Sequence, residues 1–301
     1  MIKKLIQAIC VLSLVFCISC SSGSEQVLAG SVGNDSSSEV EKTKPNEIDS
    51  VLEKLNKRTQ DLQSFQCQIE FIYKQPSVFE SQTLRKGVLY YSKFETDSND
   101  VMKNVSRIRV NFETFQQDEE DEEKRSLHYI VLDGATLASR GTSNQTRFEG
   151  LWLVQLDYEN KNCKYIQLTD AGEPNKPEDI FELISTKLPI IGFSKTDRLK
   201  EEFDISIVSH DKSAGLIQVQ LKVKPNSVHK DNYVQIDCWI DEKLNLPVKI
   251  QAVSTDPEGE ELEYKDVNEI KFINVKVNEK IDNKIFDFQV PESFGEPEVI
   301  K

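Results

Sequence analysis

The chain has 301 residues, 38% hydrophobic and 29% charged, which is enough for one large β domain or two small ones with a real core. Its formal net charge of −14 provides no basic face for phosphates, so nucleic acid is excluded as an expected partner. The same charge repels anionic membrane surfaces.

At the N-terminus, Lys3 and Lys4 precede an uncharged apolar run from Leu5 to Ile18, followed by Ser19, Cys20, Ser21, Ser22 and Gly23. This is the layout of a signal peptide, and the run is shorter than the roughly 20 residues of a membrane-spanning helix. Ser19-Cys20 at the end of the run resembles the lipobox of bacterial lipoproteins, with Cys17 standing where such boxes usually carry Leu. The resemblance implies that residues 1–19 are removed and that Cys20 is acylated. With Ser21 rather than Asp after it, the resemblance also implies an outer-membrane anchor; cleavage to a soluble secreted protein is the alternative. Either way the expected location is the cell envelope, facing the periplasm. Loss of Lys3 and Lys4 takes the net charge from −14 to −16. Beyond Cys20 three cysteines remain, Cys67, Cys163 and Cys238, an odd and widely spaced set that is no disulfide framework, although one bridge with one free thiol is open.

Residues 20–44 are mostly Ser, Gly, Glu, Asn, Asp and Lys, a composition that cannot build a core and predicts a disordered tether. At about 25 residues its typical reach is about 25–30 Å. The domain proper is expected over 45–301. Ile48, Val51, Leu52, Leu55 and Leu62 repeat at the spacing of one helix face, with Asn46 placed as N-cap. Such a helix either packs on a sheet or plugs the mouth of an open barrel.

From Phe65 onward a period of two dominates. Cys67, Ile69, Phe71 and Tyr73 alternate with polar residues, as do Ile108, Val110 and Phe112, each the pattern of a half-buried strand. Further strands are predicted at Lys86–Lys93, Leu127–Leu132, Leu151–Leu156, Lys164–Leu168, Phe203–Ser209, Leu216–Lys224, Tyr233–Asp241, Pro247–Ser254 and Val267–Val277, about eleven in all. Turn chemistry at Asp133-Gly134, Asp211 to Gly215 and Asp256 to Gly259 points to antiparallel hairpins rather than βαβ crossovers. The acidic run Asp118 to Glu123 reads as a solvated hairpin tip, not a metal site, and a second helix is predicted from Pro177 to Leu188.

Chemistry-bearing patterns are missing from the sequence. There is no G-x-S-x-G, no phosphate-binding glycine loop and, beyond Cys20, no closely spaced His or Cys pair, and His128, His210 and His229 fall on separate segments. Ser209-His210-Asp211 cannot form a relay on a strand, because neighbours point to opposite faces. No enzyme activity, metal or cofactor is expected.

The last third reads Cys238-Trp239-Ile240-Asp241, Asn245-Leu246-Pro247-Val248, then Asn268 to Asn278, Ile281-Asp282 and Phe286-Asp287-Phe288 to Pro291. With the opening helix, Ser64-Phe65, Gly87-Val88-Leu89-Tyr90-Tyr91 and Asp133 to Leu137, this resembles the periplasmic outer-membrane lipoprotein carrier superfamily, the LolA- and LolB-like proteins, over about Glu47 to Val299. The resemblance implies a mainly β fold, an unclosed, curved antiparallel β-barrel with helices at its mouth. It also implies an apolar cavity for the acyl chains of lipids or lipoproteins, serving lipoprotein sorting or lipid transfer. The lid-locking arginine of the soluble carrier has no counterpart in Tyr91-Ser92-Lys93-Phe94, so that role is not carried over.

One set of alternating residues would line such a cavity: Ile69, Phe71, Leu89, Tyr91, Ile108, Val110, Phe112, Trp152, Val154 and Trp239. A curved sheet of this size encloses more volume than side chains readily fill, and a buried acyl chain contributes about 0.8 kcal/mol per CH₂. The same residues are equally the core of a filled domain, which would make the protein an envelope sensor or interaction module with a protein partner.

Overall fold

The structure, a computed structural model, describes residues 45–76, 81–98, 101–138, 148–169, 195–255 and 265–301. Helix α1 spans Pro45–Gln60. Proline suits a first helical turn because its missing N–H would be unpaired there anyway. Asn46 therefore lies inside the helix rather than capping it. Val51, Leu52 and Leu55 are buried, and Leu62, just past the helix, is buried with them.

Twelve strands form one sheet. The first six, β1 (Ser64–Gln75), β2 (Ser81–Ser98), β3 (Val101–Gln117), β4 (Glu123–Asp133), β5 (Leu151–Asp157) and β6 (Asn162–Gln167), are neighbours in chain order. So are the next five, β7 (Phe203–Asp211), β8 (Leu216–Val223), β9 (Tyr233–Asp241), β10 (Leu246–Ser254) and β11 (Val267–Val277). Antiparallel pairing of β1 with β11, from Phe65 opposite Val277 to Lys74 opposite Val267, joins the two meanders. The sheet runs β12-β6-β5-β4-β3-β2-β1-β11-β10-β9-β8-β7 and is unclosed. Its last strand, β12 (Glu298–Ile300), is laid parallel along β6. All eleven predicted strands are present; β12 was not predicted. The predicted helix at 177–188 and the Asp256 turn lie outside the described residues.

Three hairpins share one turn. Asp157, Asp211 and Asp241 each accept two backbone N–H groups from the residues two and three places on, at 2.8–3.1 Å. The residue four places on, Lys161, Gly215 or Asn245, has positive φ. The aspartate stands in for a backbone acceptor while the left-handed residue turns the chain into the next strand. The acidic run is a hairpin tip as expected, exposed between β3 and β4. Asp133-Gly134 is not a hairpin: Asp133 caps a short helix α2 (Gly134–Ala138), accepting from the Thr136 N–H at 2.8 Å and its hydroxyl at 2.6 Å.

Asn278 closes the seam where β11 meets the start of β1. It sits at φ 58°; its Oδ1 accepts from Gln63 N at 2.8 Å and its own N–H donates to Ser64 O at 2.9 Å. Asn278→Ala is expected to lower unfolding free energy by about 1–2 kcal/mol in urea titrations, since both the side-chain hydrogen bond across the seam and an easy left-handed residue go. Asn278→Gly should recover the backbone part; an unchanged midpoint for both variants would remove this role.

Candidate ligand site

Alternation sorts side chains onto two faces, and each carries its own apolar cluster. The larger cluster lies on the face that also receives Val51, Leu52 and Leu55 of α1, here the inner face, and draws on nearly every long strand. Ile69, Leu89, Tyr91, Ile108, Val110 and Phe112 belong to it, each no more than 1% exposed, and Phe71 packs against it. Seven of the ten predicted cavity residues are therefore together. The register explains why: Leu89 lies opposite Cys67 and Val110, Ile108 opposite Tyr91, and Phe71 opposite Arg85. The main contacts of α1 are with β7, β10 and helix α3 (Thr196–Glu202), with Asp49 and Lys200 paired at 2.7 Å.

Trp152 and Val154 stand on the opposite, outer face, in a second cluster with Ile130, Leu132, Leu137, Phe148, Leu156, Cys163 and Tyr165. Strand β5 is buried on both faces through Leu151, Trp152, Leu153 and Val154, so alternation could not say which set looks inward. Trp239 is also outward, since Ile236, Cys238 and Ile240 on the same strand are the inner residues. Lys249 Nζ lies 4.3 Å from the centre of its ring, and the neighbouring outer carboxylate, Asp237, is buried under the amides of Gln218, Gln220 and Gln235.

A C-terminal strap covers the outer cluster. Asp282 caps a 3-10 turn (Asn283–Phe286), Phe286 is 1% exposed and meets Phe94 edge-on, and Phe288, Val290 and Phe294 pack on the cluster before β12 joins β6. The Phe-x-Phe-x-x-Pro signature is thus an outer cover, not a cavity lining. Arg109 Nη1 clamps the strap by donating to the carbonyls of Ile285 at 2.7 Å and Asp287 at 2.6 Å. Beside it, His128 is 9% exposed, with Nδ1 3.4 Å from Arg109 Nη2, Nε2 3.3 Å from Glu113, and its ring against Tyr158, which touches Phe294.

Burial and the Arg109 charge hold the His128 imidazole below its ordinary value, against the opposing pull of Glu113. Below about pH 6.5 the unfolded chain gains a proton that the folded one resists, so stability falls as the medium is acidified from pH 7 to 5. In His128→Gln that slope should flatten in pH-resolved denaturation; an identical slope would dissociate His128 from it. The other two histidines have separate neighbours, Glu242 for His210 and Phe203 for His229.

Cys67, Cys163 and Cys238 are all free and buried, so no bridge forms among them. Burial pushes the Cys163 thiol up to about 11 and the other two higher still, which leaves them unreactive at neutral pH.

The chain is similar to solved LolA-superfamily structures. A LolA superfamily protein from Nitrosomonas europaea is 12% identical with a TM-score of 0.31, the match covering 80% of this chain and 97% of that one. A DUF1329 family protein from Desulfovibrio piger is 10% identical with a TM-score of 0.37, over 80% of this chain and 97% of that one. The MucA/MucB complex of Pseudomonas aeruginosa matches at 11% identity and a TM-score of 0.35, over 81% of this chain and 61% of that one. No protein-family model matches the chain, and no curated protein matches it in sequence.

Proposed function

We propose that this protein is a non-enzymatic envelope lipoprotein that binds the acyl chains of lipids or lipoproteins on its inner face, for lipoprotein sorting or lipid transfer. The observation that carries the reading is the division of labour on that face. The helix α1 is seated mainly on β7 and β10, while buried Ile69, Leu89, Val110 and Phe112, with half-buried Phe71 beside them, form a continuous apolar row on β1 to β3. An acyl chain lying along these strands is held by burial alone, at about 0.8 kcal/mol per CH₂. An anchor at Cys20 makes the protein a fixed acceptor or tethered binder rather than a diffusing shuttle.

Native mass spectrometry with lipid extraction, on mature protein purified from the envelope without detergent, tests this. A stoichiometric acyl-chain ligand is expected, lost in a folded Phe71→Glu chain. A folded protein that carries no lipid and takes up no fluorescent fatty acid would favour the second reading, an envelope sensor or protein-interaction module. The near-zero exposure of Leu89, Ile108 and Val110, as in a filled core, is what supports that alternative.

A further inference from the structure

An inward-facing arginine closes one end of the apolar inner face. Arg85 on β2 lies directly opposite Phe71 and, across the other edge, opposite Phe115, so all three share a face with Leu89. Its guanidinium carbon sits 4.8 Å from the centre of the Phe115 ring, and that of Arg125 lies 4.6 Å from the same centre. Next to them is Tyr129, whose ring meets Phe112 edge-on and whose side chain packs against the inner cluster.

The two arginines differ in what holds them. Arg125 is paired with Glu123 at 2.9 Å and with Glu159 at 3.4 Å. Arg85 makes no ion pair and no hydrogen bond among the described residues, and the Tyr129 hydroxyl makes no hydrogen bond there either. Asp157 is near both, yet its carboxylate is taken up by Glu159 N, Asn160 N and the Asn160 side-chain amide. Burial holds the Arg85 guanidinium below its ordinary value and pushes the Tyr129 phenol up, so both groups are partly withdrawn from water while their polar atoms remain open to an incoming partner. A half-desolvated guanidinium with five donors and no acceptor is costly, and an oxyanion presented on an apolar stem removes that cost.

We propose that Arg85 and the Tyr129 hydroxyl form the headgroup subsite of the inner face, receiving the carboxylate or phosphate of an acyl lipid whose chain lies along Phe71 and Phe112. This rests on the lipid-binding reading above and names its ligand class: an anionic rather than a neutral lipid. Arg125, already neutralised, stacks on Phe115 and shapes the entrance.

The test is displacement of a neutral fluorescent probe, N-phenylnaphthylamine, from the full mature protein by palmitate, by hexadecanol and by inorganic phosphate. Palmitate is expected to bind about 10- to 100-fold more tightly than hexadecanol, the scale of one charge-assisted hydrogen-bonded pair. Arg85→Gln should bring palmitate to the level of the alcohol without moving the alcohol, Arg85→Lys should recover part of the difference, and Tyr129→Phe should lose a smaller share. The conservative Lys and Phe variants keep the question answerable if Arg85→Gln fails to fold. Equal affinity for palmitate and hexadecanol, unmoved by Arg85→Gln, would overturn the headgroup subsite while leaving the acyl-binding reading intact. Failure of probe and both lipids to bind would overturn both. Displacement by phosphate alone at the same concentration would reassign Arg85 to a free oxyanion and overturn the lipid assignment.

Discussion

Gly87→Val is expected to abolish the cooperative unfolding transition or shift it by more than about 3 kcal/mol. A Cβ at this position would stand 1.9 Å from the Asn111 carbonyl oxygen and 2.8 Å from Phe112 Cα, both backbone atoms of the adjacent strand β3. The two strands approach this closely where the β2–β3 register shifts between Lys86 and Gly87. Overpacking costs about 1–3 kcal/mol where side chains can yield; here the strand itself must move, next to Ile69, Leu89 and Phe112. Domains of this kind have only about 5–15 kcal/mol to lose. Gly295→Ala is the matching control, since a Cβ there meets nothing within 4 Å and the midpoint should stay within about 0.5 kcal/mol. A Gly87→Val chain with a wild-type urea midpoint would contradict the register described for β2 and β3.

Phe286→Ala is expected to cost about 3–5 kcal/mol, the range for deleting a fully buried phenyl ring. Phe286 is 1% exposed against Phe94, and the carbonyls clamped by Arg109 belong to its immediate neighbours Ile285 and Asp287. The strap should loosen from the outer cluster, so dye binding to exposed apolar surface rises as the denaturation midpoint falls. Because the strap lies on the outer face, the folded fraction should retain wild-type affinity for fatty acid. A loss of stability with no rise in dye binding would place the damage elsewhere, and a loss of affinity in chains shown to be folded would mean that the two faces are coupled.

Much of this architecture is legible in the residues. Period-two runs mark eleven strands, because each run buries one face, and the Asp211 to Gly215 turn is legible because it joins a side-chain acceptor to a left-handed residue. What escapes has physical causes. Glu298–Ile300 is too short to show a period, and its partner β6 is distant in the chain. Asp133-Gly134 has the letters of a hairpin, but Thr136 supplies the N–H and hydroxyl that turn Asp133 into a helix cap. Trp152 and Val154 could not be assigned a face, since Leu151 to Val154 are buried on both. Arg85 lies one residue before the predicted strand Lys86–Lys93, and nothing singles out Tyr129 within Leu127–Leu132. The signal was present in alternation, Arg85 keeping step with Gly87, Leu89 and Tyr91, and Tyr129 with Leu127 and Val131; a charged residue in step with an apolar row is the mark of an inward-facing polar group.

On the proposed reading an acyl chain lies on the inner face of β1 to β4, not in the outer cluster under the strap. Photolabelling the mature protein with a diazirine-bearing palmitate and mapping the modified peptides tests it most directly. Label is expected on peptides containing Phe71, Leu89, Val110 and Phe112, competed away by unlabelled palmitate and reduced in Phe71→Glu. Label confined to peptides containing Trp152, Tyr165 and Phe288, or uncompeted and spread over the exposed turns, would contradict the account.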